Sequence, residues 1–162
     1  MSSQLSKGRY ANIPRTIIFL RREDSFLLIR GSADKKIWPN QYNGVGGHVD
    51  RGEDVLSSAA RELREETGLE ANLWLCGTII VDAGEVGIGL YVLSGEDLGG
   101  AARASGEGTP EWIPYDRVRQ LSTVPDLLVI LGRVRSMRRG DPPFSARSYY
   151  DPDGKLHVEF AG

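Results

Sequence analysis

The sequence predicts a single α+β domain, and three observations carry that prediction. Short apolar runs with strand character stand on both sides of one long helical pattern, further helix follows late in the chain, and the last segment folds back on itself around a Pro/Gly turn. A chain of 162 residues with 40% hydrophobic and 26% charged positions can bury a core of its own. Residues 1–162 therefore read as one domain, with a polar start over residues 1–10 expected to fray.

Thr16 to Arg22 and Phe26 to Arg30 are rich in Ile, Leu and Phe, and the polar Glu23-Asp24-Ser25 between them suits a tight hairpin turn. A loop containing Gly31, Pro39 and Gly44 leads to a helical pattern from Asp54 to Thr67, which Gly68 ends in the position that favours a left-handed cap. Ala71 to Asp82 and Val86 to Leu93 read as strands, Gly99 to Gly108 as a loop, and Glu111 to Pro114 as a short extended piece. Asp116 to Leu121 and Asp126 to Arg139 read as helices, the second with Pro125 just before its start. Phe144 to Tyr150 and Lys155 to Phe160 form a hairpin across Asp151-Pro152-Asp153-Gly154.

Composition excludes several classes of function. The 20 Lys and Arg against 22 Asp and Glu leave a net charge of -2, so no global positive field holds a nucleic-acid polymer or an anionic membrane. One cysteine, Cys76, rules out an intramolecular disulfide and a cysteine zinc cluster, and its place between Leu75 and Gly77 marks it as a small core residue. The apolar run Ile17 to Leu20 is closed by Arg21, Arg22, Glu23 and Asp24 too soon for a signal peptide or a membrane span, so a cytoplasmic location is expected.

The chemistry is concentrated in residues 47–69, GHVDRGEDVLSSAARELREETGL. On a helix, Glu62, Glu65 and Glu66 fall within an arc of roughly 100°, beside an apolar stripe of Leu56, Ala59, Ala60 and Leu63 expected to be buried. One reading is a solvated charged face in which Arg61 pairs with Glu65 four residues on. The other is a cation site, because Glu62 and Glu66 are like charges at the same spacing and repel unless something lies between them. Oxygen-only ligands without Cys or His select a hard ion, Mg2+ with Mn2+ as a substitute.

The full spacing of Gly47, Glu53, Arg61-Glu62, Leu63, Glu65-Glu66, Gly68 and Leu69 resembles the Nudix box of the Nudix hydrolases, in their MutT-like form, without a departure. The resemblance implies an α/β/α sandwich with a mixed sheet and a catalytic loop-helix-loop. It also implies a pyrophosphohydrolase acting on nucleoside diphosphate-linked substrates. Carried over, Glu62, Glu65, Glu66 and the carbonyl of Gly46 are expected metal ligands. Arg61 is expected to orient the glutamates and pair with Glu53, while Gly47, Glu53 and Gly68 shape the box. Cations in such a site neutralise the diphosphate and acidify the attacking water. Glu62 is the first candidate for the base and Glu107, in the Gly106-Glu107-Gly108 loop, the second.

The segment Tyr42-Asn43-Gly44-Val45-Gly46-Gly47 is similar to that of the branch that hydrolyses oxidised purine nucleoside triphosphates such as 8-oxo-dGTP. The resemblance implies that Asn43 reads the base, and Asp126 matches that branch's base-reading aspartate. Asn43 before glycine also suits a plain turn. Two positions depart from the branch, Val124 standing where eukaryotic members stack a tryptophan and Leu127 where a second acid lies; Trp38, Tyr42 or Trp112 could stack instead. Arg30 is the expected phosphate clamp, with Lys35 a weaker one, and the arginines Arg133, Arg135, Arg138 and Arg139 read as a solvated helix face. The expected reaction is Mg2+-dependent cleavage of a nucleoside triphosphate to monophosphate and pyrophosphate, with a small nucleotide as the only expected partner. The alternatives are hydrolysis of ADP-ribose, a nucleotide sugar or a dinucleoside polyphosphate, or a nucleotide sensor that no longer hydrolyses.

Overall fold

The computed structural model describes residues 7–162, so the expected fraying of residues 1–6 lies outside the described residues. Tyr10, inside the stretch expected to fray, has its hydroxyl 3.4 Å from Asp82 Oδ1, to which it donates. The strands are β1 (Ala11–Arg22), β2 (Ser25–Gly31), β3 (Tyr42–Asn43), β4 (Val45–His48), β5 (Trp74–Val81), β6 (Val86–Glu96), β7 (Gly108–Pro114), β8 (Phe144–Tyr150) and β9 (Leu156–Phe160). The helices are α1 (Val55–Thr67), α2 (Tyr115–Val118) and α3 (Leu127–Arg135). They form one mixed sheet in the order β3-β2-β1-β6-β5-β8-β9, with β4 added to β1 and β7 to β2.

The central strands bury both faces, which is why they read as continuous apolar runs. Ile17 and Phe19 of β1 and Phe26 and Leu28 of β2 enter a core that α2 and α3 cover with Val118, Leu127, Ile130, Leu131 and Val134. The intervening Ile18, Leu20, Leu27 and Ile29 enter a second core, on the other face, with Ala59 and Leu63 of α1. Helices on both faces of the sheet make the α/β/α layering that the box implies.

Five elements differ from the sequence reading. β1 begins at Ala11 rather than Thr16, because Ala11–Arg15 pair in parallel with Val86–Leu90, and backbone pairing needs no apolar side chains. The loop expected before the helix contains β3 and β4, the latter antiparallel to Arg15–Ile18. The helix expected at Asp116–Leu121 is the single turn α2. The helix expected to run to Arg139 ends at Arg135, where Ser136 Oγ donates back to Arg133 O at 2.7 Å. Leu56 is 49% exposed and leaves the apolar stripe, whose buried members are Ala59 and Leu63.

Candidate active site

Helix α1 is fixed at both ends by its own sequence. Asp54 caps the N-terminus by accepting from Ser57 N–H at 2.8 Å, and Gly68 ends the helix with φ 77°, a left-handed conformation that costs glycine little. With Ala59 and Leu63 fully buried, the adjoining flank presents Glu62 and Glu66 one turn apart towards β4. The Gly46 N–H donates to Glu66 Oε2 at 3.2 Å. A Cβ on Gly47 would lie 2.4 Å from Glu62 Oε1, so only glycine lets β4 lie this close to the acids.

Arg61 organises the remaining carboxylates. Its guanidinium forks onto Glu53 at 2.8 and 2.9 Å and reaches Glu62 at 3.0 Å and Glu65 at 3.2 Å. It also donates to the carbonyl of His48. The ion pair between Arg61 and Glu65 is therefore present, as the solvated-face reading expects, but it is one arm of a larger network. Glu65 side-chain exposure is 59% against 14% for Glu62, so the structure separates Glu65 from the buried acids. Among the described residues no three His, Cys, Asp or Glu side chains are gathered as ready metal ligands.

The donor set nevertheless fits a hard cation. Glu66 is 6% exposed, and burial together with the neighbouring Glu62 charge pushes its carboxyl up to about 8. Burial also raises Glu62, against the opposing pull of Arg61. Of these two adjacent acids only Glu62 is paired, with Arg61, so the pair carries an excess of negative charge that suits a hard cation, and Glu65 is held away from it by Arg61.

Glu66 opens into a cavity of about 560 Å³, a size suited to a small organic ligand, which Glu62 and Glu65 do not line. Glu66, Gly46, Asn43, Asp126 and Glu107 all line it. Asn43 Oδ1 accepts from Gly44 N–H at 2.8 Å, the turn bond expected of Asn before glycine, which leaves its NH2 free to face a ligand. Asp126 precedes α3 without capping it, and burial raises its carboxyl. Glu107 pairs with Lys35 at 3.3 Å and contributes to the negative field at Glu66.

Several expected residues stand elsewhere. Arg30 does not line the cavity: Ile29 and Gly31 do, and strand alternation turns Arg30 to the opposite face, beside Tyr42. Lys35, expected to be the weaker clamp, is on the wall with Lys36. Of the three aromatic candidates only Trp38 lines the cavity; burial, with Glu111 nearby, raises the Tyr42 hydroxyl, and Trp112 lies under the Arg22 guanidinium at 4.2 Å. Val124 is buried but does line the cavity, whereas Leu127 is buried in the core and does not. The late arginines are exposed but engaged, Arg135 forking onto Asp24, Arg133 covering Phe160 and Arg139 donating to the carbonyl of Asn72. Sequence reasoning missed Arg15, Val81, Ser148, Tyr150 and Leu156, which reach the cavity through long-range strand pairing that carries no local signal. Among the described residues no helix is long and apolar enough to cross a membrane.

Comparison with known proteins agrees with this geometry. The NUDIX domain family model matches residues 12–127. The chain is 29% identical over 115 residues to the oxidized purine nucleoside triphosphate hydrolase of Mus musculus, covering 68% of this chain and 72% of that protein. It is 38% identical over 63 residues to the m7GpppN-mRNA hydrolase NUDT17 of Xenopus laevis, covering 39% of this chain and only 21% of that protein's length. Among solved structures, the MutT protein from Bacillus halodurans superposes with a TM-score of 0.75 at 24% identity, covering 91% of this chain and 97% of that one. The NUDIX domain of Shewanella oneidensis NrtR, complexed with ADP ribose, superposes with a TM-score of 0.66 at 16% identity, covering 80% and 90%.

Proposed function

Because the chain belongs to the Nudix family of hydrolases, whose members cleave the pyrophosphate bonds of nucleoside diphosphate-linked substrates, we propose that it converts a purine nucleoside triphosphate, oxidised purines included, to monophosphate and pyrophosphate. The observation that carries this reading is the continuity of one cavity from the buried Glu66 to Asn43 and Asp126. A diphosphate at the glutamates leaves a base within the same enclosure as an amide and a carboxyl, both suited to its polar edge. Likeness over most of the Mus musculus enzyme supports the same class of substrate.

Glu62 and Glu66 would hold Mg2+, joined by Glu65 and the Gly46 carbonyl. Bound there, the ion neutralises the diphosphate and makes an attacking water more acidic. The remaining work falls to the chain itself. Arg61 keeps Glu62 aligned, and Glu62 is the group that accepts the proton of the attacking water. Glu107, on the cavity wall and paired with Lys35 at 3.3 Å, stands second in that role. Lys35, rather than Arg30, is the cation placed to meet the substrate's phosphates.

Purified protein incubated with Mg2+ and a panel of nucleotides, with product identification, tests the reading. Monophosphate and pyrophosphate from purine triphosphates are expected, with a loss of roughly 10³-fold or more in Glu66→Gln. Sugar phosphate and adenosine monophosphate released from ADP-ribose in preference would replace the triphosphate reading. Binding without any hydrolysis would favour a sensor.

A further inference from the structure

Five buried hydroxyl side chains separate into two groups. Ser58 donates to His48 O, Thr67 to Leu63 O and Ser94 to Phe19 O, each satisfied by a nearby carbonyl. Thr16 and Ser148, 3% and 2% exposed, have hydroxyl oxygens with no hydrogen-bond partner, and both line the cavity. A hydroxyl buried without a partner costs free energy, and a chain that satisfies its other buried hydroxyls leaves such a group open where a ligand completes it.

The two orphans serve different ends of the cavity. Thr16 pairs across β4 with Gly47, at the glutamate end. Ser148 lies at the other end, where β8 is clamped between β5 and β9. Its neighbours in register are Val81 and Val158, neither of which offers a side-chain acceptor, so its oxygen has nothing to bond to on the sheet surface. Its backbone is fixed by the bond from Asp82 N–H to its carbonyl at 2.8 Å. Around it lie the aliphatic Val81, Ile88, Leu90 and Leu156, suited to the flat face of a base, with Tyr150 and Arg15 also on the wall.

Resting on the nucleotide reading above, we infer that Ser148 is a specificity-determining residue, whose hydroxyl bonds a polar group on the edge of the nucleobase at the end of the cavity remote from the glutamates. A hydroxyl both donates and accepts, so it selects by position, rewarding a base that carries any polar edge atom there and penalising one that presents carbon. With Asn43 and Asp126 it is one of the polar groups on the cavity wall.

The test uses the full chain, as wild type and as Ser148→Ala, with nucleoside monophosphates that differ only in the base and with ribose 5-phosphate as a baseless probe. Calorimetric binding and the kcat/KM of the matching triphosphates are expected to show the ratio between the best and the second-best base falling five- to tenfold in Ser148→Ala, with binding of ribose 5-phosphate unchanged. The same variant is expected to melt at the wild-type temperature or about 2–4 °C above it, because it removes an unsatisfied group. An unchanged base ratio, an equal weakening of ribose 5-phosphate, or no binding of any monophosphate overturns the proposal. Base-selective monophosphate binding without hydrolysis of any triphosphate would remove the hydrolytic reading while leaving Ser148 in its role.

Discussion

At the residue scale the site depends on two adjacent glycines whose constraints differ in kind. A Cβ on Gly46 would fall 2.0 Å from the Thr16 carbonyl oxygen, a backbone atom in the neighbouring strand. Nothing there can swing aside, so Gly46→Ala is expected to prise β4 from β1 and to destabilise the fold by about 1–3 kcal/mol or more, read as a lowered melting temperature. At Gly47 the obstruction is the carboxylate end of Glu62, a side chain that can rotate away. Gly47→Ala should therefore keep most of its stability while losing hydrolysis with displacement of that one acid. Equal melting losses in the two variants would contradict this distinction. Arg61 supplies a further contrast, since its planar fork meets Glu53 through two nitrogens and Glu62 through a third. Lysine keeps the charge but not the fork, so if Arg61 orients metal ligands as proposed, Arg61→Lys is expected to lose about 10- to 100-fold in kcat. Wild-type kcat in that variant would reduce Arg61 to a surface ion pair.

At the element scale, what was legible in the sequence was what is decided locally. Helix α1 was readable from the spacing of Ala59 and Leu63, the cap at Asp54 and the glycine at 68, all within fourteen residues of one another. The β1–β2 and β8–β9 hairpins were readable from their turns. The start of β1 was not, because Ala11–Arg15 are held by β6, seventy-five residues away in register. The far wall of the cavity was hidden for the same reason, as Ser148 comes beside Val81 only through the parallel pairing of β5 and β8. Arg30 lies off the cavity wall, and its sequence proximity to the box does not reveal which face of β2 it occupies. The helix that carries the acids can itself be tested. Leu63 is fully buried in the core beneath α1, so Leu63→Ala is expected to cost about 2–5 kcal/mol, against less than about 1.5 kcal/mol for Leu63→Met. If α1 acts as a rigid mount, chemical denaturation should rank the two variants in that order, and Leu63→Met should retain most of the activity.

At the scale of the whole molecule, a net charge of -2 conceals a local excess of negative charge that the fold brings to a buried place. Folded Glu66 keeps its proton up to about pH 8, whereas the unfolded chain releases it at the ordinary glutamate value near 4.5. Between those values the folded state binds more protons than the unfolded state, so the stability of the metal-free protein falls as pH rises through this window. Below about pH 4.5 both states are protonated at this residue and its contribution to folding is fully present. A divalent cation held at Glu66, as proposed, would reverse the balance, because it would bind only the ionised carboxylate of the folded chain and stabilise that state by mass action. Melting measured with a chelator should therefore decline by several degrees from pH 5.5 to 8.5 in the wild type, and much less in Glu66→Gln, which has no proton to lose. Excess Mg2+ should raise the wild-type melting temperature more at pH 8.5 than at pH 5.5, where the proton competes for the same oxygens. A chelated wild type and Glu66→Gln that decline in parallel would place the titration on other groups, and an Mg2+ effect independent of pH would place the ion away from Glu66.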